Sequence, residues 1–402
     1  MRILLLGMYA NAEGELSYEA RMVHHLAQMG NEIDYWTDSP LSYMMEPVLK
    51  QPPTLRSFVF KEGKNALAKT PRQFHPLDVK RIMKEHTHHE NPGYDLIFTT
   101  SQTGIDMGVW LKQVLDIPLV VQILDVPHWR LNDFGPQEIY KQAVVPLPLL
   151  PTELFNGYRG EWQWWFSNFD KIDRITTILE EAKNYIVQFS GVDPSKVSIS
   201  HHGSVDTDSF DYFIKQRKVE RKNQVLVVER IDFHKGVDQS VLVCKLIQDM
   251  MGDSAPEFVF TSRGNQAWYE NLVKDFAKAY LKKHRFTGWV DNPTKIGLIR
   301  ESKVMLVNEW PNGFGSCTIG EAVYCGTQMI GWDTPSKKEV HPGGGFTRVP
   351  LNDYEAMARA AVHHLQNFEE TKPEEREWVA KYRSNKSHAE SIHGILEGVL
   401  RR

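Results

Sequence analysis

The segment Glu229-Arg230-Ile231-Asp232-Phe233-His234-Lys235-Gly236 delivers an arginine and, five residues later, a lysine at the end of an apolar run that begins at Asn223. A guanidinium can fork onto phosphate oxygens, and an ammonium supplies a compact point charge. If the run is a strand of a parallel sheet, both cations stand at its carboxyl edge, where open α/β folds bind ligands. Such a pair suits a diphosphate leaving group. The competing reading, two solvated surface charges, is weakened by this position.

A second segment runs Asn308-Glu309-Trp310-Pro311-Asn312-Gly313-Phe314-Gly315-Ser316-Cys317-Thr318-Ile319-Gly320-Glu321 and ends at Gly326. Gly313 and Gly315 let backbone approach a ligand. The helix opening near Ser316 to Ile319 turns its positive dipole end toward an anion. Glu321 falls on that helix, where a carboxylate can accept hydrogen bonds from ribose hydroxyls. A third segment, Gly7 to Gly14, reads as a glycine-bearing loop before a helix, able to offer backbone N–H groups to a phosphate or sugar oxygen. It lacks the full G-x-G-x-x-G spacing, so nicotinamide binding is disfavoured and a plain strand–helix turn is as good a reading.

These residues require a scaffold of alternating strands and helices. Ile3 to Gly7 is a short apolar run. Ala20, Val23, Leu26 and Ala27 repeat at helical spacing up to Gly30, and Glu32 to Thr37 reads as a second strand. Leu96–Thr100, Leu119–Leu124, Ile172–Leu179 and Val197–Ser200 continue the series, with a crossover helix over Gly104–Leu115. The pattern restarts at Asn223 and continues through Glu257–Thr261, Arg285–Thr287, Val304–Val307 and Gln328–Trp332. Two doubly wound α/β halves follow, separated by the charged stretch Lys215–Lys222. Glu375 to Arg402 reads as helical throughout, and residues 40–95 fit no assigned element.

Taken in order, these segments resemble the retaining glycosyltransferases of family 4, also called glycosyltransferase group 1. Val205-Asp206-Thr207-Asp208-Ser209-Phe210 is similar to the family's V-D-x-x-x-F, Arg230 with Lys235-Gly236 to its R-x(4)-K-G, and Phe286-Thr287-Gly288-Trp289-Val290 to its F-x-G-x-V. Gly313 to Gly326 is similar to the glycine-rich block ending in E-A-x-x-x-G-T, and Pro350 to Asp353 to the segment before the next helix.

The resemblance implies a GT-B fold: two Rossmann-like domains facing a central cleft, with a C-terminal helix crossing back to the first. The implied boundaries are 1–215 for an acceptor domain, 223–375 for a nucleotide-sugar domain and 376–402 for the returning helix. It further implies a catalytic set of Arg230, Lys235, Asp125 and His128. The implied donor-binding set is Gly14, Glu229, Arg263, Gly264, Trp289, Val290, Gly313, Phe314, Gly315, Ser316, Cys317, Thr318 and Glu321. The substrate would be a UDP- or GDP-sugar and a hydroxyl-bearing acceptor, with no tightly bound cofactor and no metal, the two cations taking the metal's role at the departing diphosphate.

Two positions depart from the pattern. The residue eight before Glu321 is Gly313, and alignment on Phe314-Gly315 puts Asn312 there, while Glu309 lies twelve before. The family's first glutamate is therefore replaced, and backbone amides of Gly313 to Gly315 are one substitute. The family's histidine aligns with Leu124; His128 could reach the same space from the loop, or be a structural histidine.

Composition bounds these readings. With 402 residues, 41% of them hydrophobic, the chain can bury two cores. Three cysteines argue against a disulfide framework or zinc site and for a reduced cytoplasmic setting. The apolar start is too short for a signal peptide, and no run approaches a bilayer span. His86-Thr87-His88-His89-Glu90 reads as a solvated helix end rather than a metal site, and the aromatic group Trp162 to Phe166 as a packed helix or a stacking platform. A DNA acceptor is the runner-up, using Lys64, Lys69, Arg72, Lys80 and Arg81, but 47 basic against 51 acidic residues weigh against it. At most peripheral membrane contact is expected, through Lys381, Arg383, Lys386, Arg401 and Arg402. The same motifs would also suit a nucleotide-sugar epimerase, or a non-catalytic binding protein of the same fold.

Overall fold

The computed structural model describes residues 1–7, 13–37, 53–59, 93–124, 163–200, 202–232, 235–264, 267–309 and 317–401. The first half comprises β1 (Arg2–Leu6), α1 (Glu13–Gln28), β2 (Glu32–Thr37), β3 (Leu55–Val59), β4 (Leu96–Thr99), α2 (Ile105–Leu115), β5 (Leu119–Ile123), β6 (Arg174–Thr177), α3 (Glu180–Ser190), β7 (Val197–Ile199) and α4 (Thr207–Gln216). The second comprises β8 (Lys222–Val228), α5 (Val237–Met251), β9 (Glu257–Thr261), α6 (Ala267–Tyr280), β10 (His284–Gly288), α7 (Asn292–Glu301) and β11 (Ser302–Val307). It continues with α8 (Cys317–Tyr324), β12 (Gln328–Trp332), α9 (Pro335–Val340), β13 (Phe346–Val349), α10 (Tyr354–Gln366) and α11 (Pro373–Tyr382), and α12 (Asn385–Leu400) follows.

The described residues form two compact units. One holds those up to Leu124, 163–209 and 384–401; the other holds 210–383. The first unit is a seven-stranded sheet in the order β3-β2-β1-β4-β5-β6-β7, and the second a six-stranded sheet in the order β10-β9-β8-β11-β12-β13. Every pairing is parallel. Central strands covered on both faces must be apolar at nearly every position, and β1, β4 and β5 are buried along essentially their whole length.

In the first unit, Ile3, Leu5 and Phe98 pack with Val23 and Leu26 of α1 and with Ala389, Ile392 and Leu396 of α12. In the second, Val225, Val227 and Phe260 pack with Val241 and Cys244 of α5 and with Met357 and Ala361 of α10. Each fully buried aliphatic side chain contributes about 1.5–3 kcal/mol. No helix among the described residues is long and apolar enough to cross a membrane.

Four sequence expectations change. Helix α1 begins at Glu13, so Gly14 lies in its first turn and not in a loop. The run from Glu375 is two helices, because Ser384 leaves the helical conformation to cap α12, its hydroxyl accepting from the Ser387 N–H, while its backbone bridges to Val205. Strands β3 and β13 went unread; both are edge strands carrying an arginine, Arg56 in one and Arg348 in the other, which breaks the apolar run. Of the aromatic group, Trp164 is 37% exposed and donates its indole N–H to Asp106 on α2, while Trp165 is buried. Trp162, the His86–Glu90 cluster and the Lys64–Arg81 basic residues lie outside the described residues.

Candidate active site

The order of the six-stranded sheet reverses between β8 and β11, which makes their carboxyl ends the switch point at which parallel α/β sheets bind ligands. The loop after β8 carries Glu229, Arg230, Asp232 and Lys235; β11 is followed by Asn308 and Glu309. The two loops approach closely at Gly236, whose φ is +61° and where a Cβ would sit 2.3 Å from the Asn308 carbonyl oxygen. Only glycine meets both demands. The Asn308 carbonyl in turn accepts from the Trp332 indole at 3.2 Å, and its side-chain oxygen accepts from the Ser240 hydroxyl at 3.0 Å. The β8–α5 turn is thereby fastened to the end of β11.

Lys235 is the hub. Its ammonium ion-pairs with the Glu309 carboxylate and stands 3.8 Å from Glu229 Oε2. Burial works against its charge, but the carboxylates of Glu309 and Glu229 outweigh that penalty and hold it well above the ordinary lysine range. Arg230 is 37% exposed and braced by Asp232, Nε to Oδ2 at 3.1 Å. Glu229 also ties the loop to α8, its Oε1 accepting from the Thr318 hydroxyl at 3.3 Å.

One turn along α8, the buried Glu321 pairs with Lys295 of α7 at 2.7 Å. Glu309 and Glu321 each keep one buried carboxylate oxygen, Oε2, with no hydrogen-bond partner among the described residues. Burial, with the Glu321 charge adding, pushes the Cys317 thiol up to about 12, so it is neutral at pH 7 and no nucleophile. A fully buried lysine, Lys337 of α9, donates to the Glu309 carbonyl at 3.1 Å.

The structure thus brings together Glu229, Arg230, Lys235, Glu309, Cys317, Thr318 and Glu321 within one unit. Gly264 joins their periphery: a Cβ there would collide with the Ile231 carbonyl oxygen, and its N–H donates to Glu270 at 2.8 Å, beside the exposed Arg263. Trp289, 55% exposed, and Val290 follow β10 at the edge of the sheet, two strands from β8. Gly14 belongs to the other unit. Asp125, His128, Asn312, Gly313, Phe314, Gly315 and Ser316 lie outside the described residues.

Lys295, Asp232 and Lys337 were not anticipated from the sequence. Lys337-Lys338 reads as an ordinary solvated pair. Thr334-Pro335 marks the start of α9, but nothing in local spacing marks which of its residues turns inward.

Two parallel, doubly wound sheets define a two-domain Rossmann-like chain of the GT-B class. Residues 208–383 match the family model described as Glycosyl transferases group 1. The six-stranded unit is therefore a group 1 glycosyltransferase domain, and the chain is a glycosyltransferase. No curated protein shows significant sequence similarity to it. Among solved structures it is similar to sucrose-phosphate synthase from Thermosynechococcus elongatus (16% identity, TM-score 0.71, covering 100% of this chain and 99% of that one). It is also similar to HepE from Anabaena in complex with UDP-glucose (15%, 0.68, 99% and 100%). A third is an α,α-trehalose-phosphate synthase (UDP-forming) from Burkholderia vietnamiensis (13%, 0.66, 99% and 100%). At these identities the likeness speaks to the fold.

Proposed function

We propose that the chain is a retaining glycosyltransferase that moves a sugar from a nucleotide-sugar to a hydroxyl acceptor, with the donor diphosphate seated at the β8/β11 crevice. The observation that carries this reading is the placement of Arg230 and Lys235 at the switch point of a parallel sheet, each braced by a carboxylate. The Lys235 ammonium has three donors; Glu309 takes one, leaving N–H groups for phosphate oxygens. The Arg230 guanidinium forks onto neighbouring oxygens, and the N-terminus of α8 adds its dipole.

In the transfer, the bond from the anomeric carbon to the phosphate oxygen breaks and its electron pair leaves on the diphosphate. Arg230 and Lys235 stabilise that developing charge, where fixed cations in a low-dielectric crevice act most strongly. The acceptor hydroxyl attacks from the same face and passes its proton to the departing oxygen, so no protein nucleophile is required. The Glu321 Oε2, which has no partner among the described residues, would accept from the ribose diol, Trp289 and Val290 would flank the base, and Asp125 and His128 are candidates for contact with the transferred sugar. The UDP-glucose in the HepE complex and the UDP-forming activity named for the Burkholderia enzyme favour a uridine donor. A thermal-shift panel of UDP-, GDP- and ADP-sugars tests the assignment: a donor present at a hundred times its Kd adds about 2.7 kcal/mol of stability. No shift with any of them would contradict it.

A further inference from the structure

Lys337 is placed where a hydrophobic residue would fill space at less cost. It is 0% exposed, on a helix of six residues, and its ammonium donates to the Glu309 carbonyl at 3.1 Å. Lys337 thereby fastens Glu309, the last described residue after β11, to α9. Its charge has a second consequence. The groups facing it are Glu309 after β11, Glu229 after β8 and Lys235 before α5, and all three act on it electrostatically. Lys235 already occupies Glu309 Oε1 and reaches toward Glu229. Two carboxylates are therefore balanced by two ammonium groups only while Lys337 is protonated.

We propose that Lys337 is a positioning residue that keeps the anion-binding edge of the second sheet electrically neutral, so that its ammonium charge sets how tightly a nucleoside diphosphate binds. Without that charge the cluster of Glu229, Glu309 and Lys235 is net negative and repels the ligand's phosphates from Arg230 and Lys235.

Burial pushes Lys337 down to about 8, against the raising influence of Glu309 and Glu229. The neighbouring groups hold their state across pH 7 to 9.5: Lys235 is held above the ordinary range, the Cys317 thiol titrates at about 12, and arginine does not deprotonate. The terminal phosphate of a nucleoside diphosphate loses its last proton at about pH 6. A fall in affinity between pH 7 and about 9, before the ring N–H of uracil or guanine loses its proton, therefore reports on Lys337. By linkage, a bound ligand that raises the Lys337 pKa by about one unit loses about tenfold in affinity once the lysine is neutral.

This inference rests on the diphosphate reading, and the experiment separates the two. Calorimetric titration with UDP, GDP and ADP at pH 7 comes first, followed by the best of them at intervals to about pH 9. The wild type is expected to lose about tenfold in affinity with a midpoint at or a little above 8. Lys337→Arg should bind as tightly at about pH 9 as at pH 7, and Lys337→Met should bind about tenfold more weakly at pH 7 with no further loss up to about pH 9. If no nucleotide binds at pH 7, the diphosphate reading falls and this inference with it. If one binds with a flat wild-type profile, or Lys337→Met keeps the alkaline loss, the role of Lys337 alone is overturned. Should Lys337→Met fail to fold, the wild-type profile and the arginine variant decide.

Discussion

The carboxyl edges of the two sheets are built from different chemistry. Among the described residues, the switch point of the first, between β1 and β4, ends in Gly7 and in Thr100, Ser101 and Gln102, with the Glu19 carboxylate accepting from the Tyr35 hydroxyl at 2.6 Å. The same point in the second ends in Glu229, Arg230, Glu309 and Lys235. Hydroxyls, amides and a carboxylate suit a neutral, hydroxyl-rich partner; braced cations suit a diphosphate. One topology, used twice, is thus differentiated by what stands at the strand ends, and in the proposed reaction the cationic edge would take the donor.

The largest effect that would break this contrast is expected at the second edge. Arg230→Ala should lower kcat/KM by about a hundredfold or more while leaving the circular dichroism spectrum unchanged, as for loss of a preorganised group at a developing charge. Lys235→Met strands Glu309, so Lys235→Met/Glu309→Gln, which removes both charges, is the cleaner variant and should lose activity on a similar scale. Next, Glu321→Gln should raise KM for the nucleotide-sugar by about tenfold, and Lys295→Met by less, because Lys295 only orients the carboxylate. Steady-state kinetics with the best donor checks both.

At the first edge the expected damage is to stability, not to nucleotide binding. A Cβ on Gly7 would sit 2.2 Å from Glu19 Oε1 and from the Tyr35 hydroxyl, so Gly7→Ala should cost about 1–3 kcal/mol in denaturant unfolding without changing the Kd for UDP. Lys337 gives a stability signature of opposite sign to that of an ion-paired lysine held above its ordinary range, such as Lys235. The folded value of Lys337, about 8, lies below its ordinary 10.5, so the unfolded chain binds more protons between those limits. The stability of the wild type relative to Lys337→Met should therefore rise with pH through that window. The smallest effect belongs to Cys317→Ser, which should change turnover by less than roughly twofold, because a thiol neutral at pH 7 carries no chemistry there.

The elements that sequence revealed are those whose burial forces an unbroken apolar run. β8, β9 and β11 in the second half, and β1, β4 and β5 in the first, sit where both faces are covered. β3 and β13 are edge strands with an arginine in each, and a short run with a charge resembles a loop. The break before α12 was hidden because no glycine or proline punctuates it, and the capping role of Ser384 shows only once its partner, the Ser387 N–H, is known.

At the site, Arg230, Lys235, Thr318 and Glu321 were legible because each sits at a fixed offset from a glycine or a strand end. Their counter-charges were not. Lys295, Asp232 and Lys337 come from three separate loops or helices, and nothing in local spacing says that Lys337 turns inward while Lys338, 58% exposed, pairs with Asp333 at the surface. The structure adds a partner for Glu321: one oxygen is held by Lys295, and the other has no hydrogen-bond partner among the described residues.

The central claim is that the carboxyl edge of the second sheet holds a nucleoside diphosphate through its cations. Calorimetric titration of wild type and Arg230→Ala with UDP and with uridine tests it most directly, because the two ligands differ only in the phosphates. The account predicts that Arg230→Ala weakens UDP binding by about thirtyfold or more, some 2 kcal/mol, and leaves uridine binding unchanged. Equal affinity of the two proteins for UDP, or an equal loss for UDP and uridine, would contradict it.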